Sequence, residues 1–189
     1  MSDLKLFMMM LGCTPGGRNT EQHDVYFTVA PHIRDTIPEI IEFWPEAKGD
    51  IHIDAWREVT QVDNFSVEVQ LRDSMMISSN IDQQKLFFVN LGGYKENEFD
   101  EFHYKMIVAA SDKGSAIMQA KNSAFYKHTR FKGAESHIDD KFGVDVDDIY
   151  QIEDILPPAV KTKYQIRLKL NESKDLDKLN LGYFKLDSL

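Results

Sequence analysis

The sequence predicts an α+β fold built from two tandem β-β-α-β-β repeats. Two observations carry this: residue blocks recur at fixed offsets, and the same succession of strand and helix signals follows each block. Lys5-Leu6-Phe7 returns as Lys85-Leu86-Phe87, Leu11-Gly12 as Leu91-Gly92, and Glu21-x-His23 as Glu101-x-His103, all 80 positions apart without a gap. His52-Ile53-Asp54 returns as His137-Ile138-Asp139, and Asp63 as Asp148, at an offset of 85. The first repeat spans 4–71, a polar linker 72–84, the second repeat 85–170, and an appendage 171–189. Two such units are expected to be related by a pseudo-twofold axis, with antiparallel or mixed sheets and one helix each.

Each element has a local reason. Leu4 to Leu11 is a short apolar run, and its counterpart Lys85 to Leu91 is aromatic and β-branched, which favours buried strands. Gly12 and Gly92 close these runs into loops of about ten residues. His23 to Ala30 and His103 to Ala110 then alternate, so each pair reads as an antiparallel hairpin. A helix follows: Pro31 opens the segment in the first copy, Pro38 restarts it, and it ends near Trp44-Pro45. In the second copy Ser111 is expected to cap a helix from Asp112 to Tyr126. Trp56 to Val62 and Phe65 to Leu71 read as a second hairpin turning at Asp63-Asn64, where positive φ is tolerated. The second copy gains residues near 129–135 and 151–163, read as loops, the latter with Pro157-Pro158. The segment from Lys178 to Leu189 suits an edge strand, blunted by Lys185.

Composition narrows the function. A chain of 189 residues, 42% hydrophobic, buries enough surface to fold without a staple. One cysteine excludes an internal disulfide framework. The net charge of −9 argues against nucleic acid, which needs a basic face. The N-terminal apolar run is too short for a signal peptide or a membrane span. A cytoplasmic protein that binds neither nucleic acid nor membrane is the resulting expectation.

The ordered blocks Lys-Leu-Phe, Leu-Gly, Glu-x-His and His-Ile-Asp resemble a bacterial family known as domain of unknown function 1543, which occurs in one or two copies per chain. This chain is similar to a two-copy member over about 5–71 and 85–150. Gly12, Asn19, Glu21, His23, Asp24, His52 and Asp54 fall on the motif positions of the first copy, and Gly92, Gly93, Glu101 and His103 on those of the second. Cys13 stands where the second copy has Gly93. The resemblance implies the domain plan and no activity.

Four of the six histidines sit at repeated positions: His23, His52, His103 and His137. A Glu and a His two apart on a strand face the same way, so Glu21/His23 and Glu101/His103 each offer a carboxylate and an imidazole. With His52/Asp54 and His137/Asp139 they form a candidate ligand-binding set, joined by Arg18 and Asn19 of the glycine-containing loop 12–20. The plainer reading is an acid that orients a histidine at a strand entrance. No HExxH or cysteine spacing marks a metal, so neither a metal nor a cofactor is assigned. Cys13 beside glycines and Arg18 suggests a nucleophile only weakly. The acidic run 139–148 lacks the spacing of a calcium loop. The sequence therefore points to a non-catalytic module that binds a small molecule or a protein, with a metal-assisted hydrolase as the alternative. Exposed edge strands leave a homodimer open.

Overall fold

The computed structural model describes residues 4–72, 84–94, 97–128, 145–171 and 175–189. The fold is α+β, with antiparallel sheets and few helices. It divides into two compact units, one formed by residues 1–76 with 155–189 and the other by residues 77–154. Among the described residues no helix is long and apolar enough to cross a membrane.

In the first unit, β1 (Lys5–Cys13) and β2 (Gln22–Ala30) form the expected hairpin, with Gly12 opposite His23. A 3₁₀ turn (Ile33–Thr36) leads into α1 (Ile37–Phe43), whose first turn holds Pro38 and whose end is Trp44. Glu39 of α1 accepts hydrogen bonds from Thr28 and Tyr26 of β2, tying helix to sheet. Phe7, Met9, Leu11 and Cys13 alternate along one face of β1 and pack with Ile40, Ile51 and Ile53. The Met8-Met9-Met10 run is thus strand, with Met9 fully buried.

The strand after the helix starts earlier than the sequence suggests. β3 (His52–Glu58) pairs with the other side of β1, and with the C-terminal strand Asn180–Lys185 on its far side it completes a four-stranded sheet. The expected hairpin of Trp56–Val62 with Phe65–Leu71 shrinks to β4 (Gln61–Val62) against the start of β5 (Phe65–Leu71). The chain leaves the first sheet at Val59, whose N–H bonds to the Leu6 carbonyl, and turns at Asp63 with φ 52°.

In the second unit, β6 (Lys85–Tyr94) and β7 (Glu101–Ala110) repeat the hairpin register, with Gly92 opposite His103. The helix α2 (Lys113–His128) packs Ala116 and Ala120 with Phe87, Val89, Leu91, Val108 and Ala110. Its cap is Asp112 rather than Ser111: Asp112 Oδ1 accepts the Ser115 N–H at 2.9 Å, while Ser111 donates to Asp112 Oδ2. A carboxylate suits the positive end of a helix better than a hydroxyl. β8 (Asp145–Gln151) completes the order β7-β6-β8.

The stretch after β8 is helical instead of a loop. α3 (Ile152–Ile155) and α4 (Pro158–Lys163) carry the buried Ile152 and Val160, and Leu156 in the bend between them is buried too. Within the first unit, β9 (Tyr164–Leu170) then pairs along its whole length with β5, and Glu68 meets Arg167 at the centre. The appendage supplies β10 (Asn180–Lys185) on the edge of β3, within the segment from Lys178 to Leu189. Asp177 secures it, because its Oδ1 accepts from Thr60 N, Thr60 Oγ1 and Gln61 N at 2.7–3.2 Å.

Candidate functional site

The site of the first unit follows from the register. Gly12 lies between two histidines, opposite His23 on β2 and His52 on β3. Directly opposed residues share a face, so both imidazoles rise on either side of a residue that has no side chain. The ladder slips once: Met10 faces Ala55 and Leu11 faces Ile53, which leaves Asp54 as the surplus residue of a bulge. Bulges re-aim side chains, and Asp54 turns across Gly12. A Cβ on Gly12 would stand 2.5 Å from His52 Nε2 and 2.7 Å from Asp54 Oδ2. The glycine is required by space.

Glu21 completes a ring. His23 Nε2 lies 3.4 Å from Glu21 Oε2 and 3.2 Å from Asp54 Oδ2. His52 Nε2 lies 3.0 Å from Glu21 Oε1 and 3.2 Å from Asp54 Oδ1. Two imidazole nitrogens thus meet four carboxylate oxygens, and each nitrogen offers at most one proton. The angles do not serve hydrogen bonds: buried His52 Nε2 and Asp54 Oδ2 form none with any described group. His52 is the floor of the cluster, its side chain 7% exposed, while His23 and Glu21 are 43% and 41% exposed. Tyr183 of β10 stacks on the His52 ring at 4.0 Å. The Tyr183 contact has no counterpart among the residues singled out from sequence, because its sequence separation from His52 gives no local signal.

Arg18 and Asn19 lie in the exposed turn before Glu21, where the Arg18 N–H bonds to the Pro15 carbonyl. Cys13 points into the core on the opposite face of β1. Burial first, then the carboxylates of Asp50, Glu21 and Glu46, pushes its thiol above the ordinary value, which opposes a nucleophilic role.

The second unit builds a related cluster from partly different residues. Gly92 lies between His103 on β7 and Asp145 on β8, and the ladder slips at the corresponding place, leaving Asp147 as the surplus residue. His103 Nδ1 lies 3.1 Å from Asp147 Oδ2. Among the described residues Glu101 is not part of this group; it opens β7 opposite Tyr94. His137 and Asp139 lie outside the described residues. The available signal for Asp147 was Gly92 itself, since a glycine inside a strand marks a close approach.

Residues 18–69 match the family described as Domain of Unknown Function (DUF1543), a stretch that contains Glu21, His23, His52 and Asp54. The DUF1543 description attaches no activity to these residues. The fold is similar to that of the crystal structure of a protein Il1583 from Idiomarina loihiensis, with a TM-score of 0.59 and 22% identity, over 97% of this chain and 98% of that one. No curated protein matches the chain.

Proposed function

We propose that the DUF1543 segment is a small-ligand-binding module whose ligand is a divalent cation held by Glu21, His23, His52 and Asp54. The observation that carries this reading is the ring of four N···O contacts of 3.0–3.4 Å that lacks the protons to be a hydrogen-bonded network. Two ligands bound to one ion at about 2.0–2.2 Å stand roughly 3.0–3.6 Å apart, the same spacing. Two imidazoles with two carboxylates suit zinc, manganese or iron.

Among the described residues no group of three or more His, Cys, Asp or Glu side chains is placed to hold a metal ion as it stands. The carboxylates touch the imidazoles directly, so an ion enters by small rotations of Glu21 and Asp54. The contacts given up are the ones with poor hydrogen-bond geometry. The tandem plan, in which the second unit is a copy of the first, is supported by the matched hairpin registers and matched bulges.

The exposed side of His23 and Glu21 favours a second reading, a metal-assisted hydrolase. A bound ion would supply Lewis acidity on the side that substrate can reach.

Elemental analysis and zinc titration of chelator-treated full chain, beside a His52→Gln variant, test the binding reading. About one zinc per chain that the variant loses supports it. No zinc in the wild type, or equal uptake in both proteins, overturns it.

A further inference from the structure

We propose that the 77–154 unit holds a cation site of its own, formed by Asn90, His103, Asp147 and Asp148, and that it takes a harder ion than the Glu21 cluster. It shares only the kind of ligand with the reading above and uses none of the same residues.

The argument starts from His103. Its Nδ1 lies 3.1 Å from Asp147 Oδ2 and 3.4 Å from Asn90 Nδ2. A protonated Nδ1 satisfies Asp147 and confronts the amide donor; a bare Nδ1 accepts from Asn90 and confronts the carboxylate. Neither tautomer satisfies both neighbours. Asn90 adds a second, independent mark. It is 9% exposed, its Nδ2 donates to Asp148 Oδ2 at 3.3 Å, and its buried Oδ1 has no hydrogen-bond partner. An unpaired buried amide oxygen costs roughly what a hydrogen bond is worth; Nδ2 is the atom that now faces His103 and Asp148, and a half-turn of the amide brings Oδ1 to a cation there.

Space is also set aside. A Cβ on Gly92 would stand 2.7 Å from Asp147 Oδ1, so the strand is bare where the carboxylate crosses it. The side chains of His103 and Asp147 are 36% and 32% exposed, which leaves an approach.

The donor set decides the ion class. One imidazole, two carboxylates and one amide oxygen are richer in oxygen than two imidazoles with two carboxylates. Oxygen ligands favour manganese or magnesium, whereas imidazoles favour zinc. Lys105 stands opposite Asn90 in register and brings a positive charge to the same face.

The test is a Mn²⁺ titration of the full-length chain carrying His52→Gln, with free ion read by electron paramagnetic resonance. The expected result is one bound Mn²⁺, weakened at least about tenfold by Asp147→Asn and tightened by Lys105→Met. Asn90→Asp adds a charged donor and is expected to tighten binding too, which keeps the test readable if Asp147→Asn fails to fold. No Mn²⁺ uptake in the His52→Gln chain or with Asn90→Asp, or uptake indifferent to Asp147→Asn in a folded protein, overturns the site. Failure of zinc uptake in the wild type bears only on the Glu21 cluster.

Discussion

Asp54 occupies the space that a side chain on Gly12 would need: the Gly12 Cβ position is 2.7 Å from Asp54 Oδ2. The two residues lie on neighbouring strands, and the absence of one side chain is the condition for the placement of the other.

Gly12→Ala should therefore damage the site before the fold. The added methyl displaces His52 and Asp54, at a cost of about 1–3 kcal/mol in stability. Urea denaturation measures the first effect, and zinc titration should show binding lost. Unchanged stability and binding would show that the cluster adapts.

Tyr183 covers His52 from the edge strand. Tyr183→Ala is expected to cost about 0.5–1.5 kcal/mol for the lost ring pair and to let the imidazole turn. Tyr183→Phe keeps the ring and should behave as wild type in thermal denaturation and zinc affinity. A Phe variant as weak as the Ala variant would assign the effect to the hydroxyl.

Asp177 pins the C-terminal segment through Thr60 and Gln61, and its Oδ2 lies 3.7 Å from Arg57 Nη1. Burial lowers the pKa of Arg57, and Asp177 offsets that shift. Asp177→Ala leaves a mostly buried guanidinium without this partner, a loss of about 3–5 kcal/mol. Limited proteolysis should then cut within 175–189 earlier than in the wild type.

Asp112 gives a pH signature. The Ser115 N–H first, then the hydroxyls of Ser111 and Ser115, hold its carboxyl below the ordinary carboxylate range. A depressed folded pKa adds stability that is present above the unfolded pKa and lost as pH falls through the folded one. Asp112→Ala should thus lower the urea midpoint at neutral pH, and the gap to wild type should narrow in acid. A gap independent of pH would mean the cap works without its charge.

The sequence revealed much of the scaffold because the scaffold is local. Alternation marked β2 and β7, Pro38 marked α1, and the segment from Lys178 with its Lys185 suited an edge strand. Glu21 and His23 were legible as a pair because residues two apart on a strand share a face. Their meeting with His52 and Asp54 was not, since it depends on β3 crossing to β1 and on a one-residue slip at Met10/Leu11. The segment 151–163 was misread as a loop because its prolines outweighed its apolar residues Ile152, Leu156 and Val160. In the second unit Asp145-x-Asp147 holds the ladder position of His52-x-Asp54 without sharing His52's residue type, so residue identity does not mark it.

The slip itself has an evolutionary and engineering consequence. Because Ile53 and Ala55 already face consecutive residues of β1, removing Asp54 would mend the β1–β3 ladder, while β10 on the other side would keep Gly182 and Tyr183 as surplus residues. Removing Asp147, between Val146 and Asp148, would likewise mend the β6–β8 ladder. Each unit therefore carries its bridging acid as a detachable insertion. Deleting that one residue is expected to remove the bridging acid while keeping the pairing of the strand with β1 or β6.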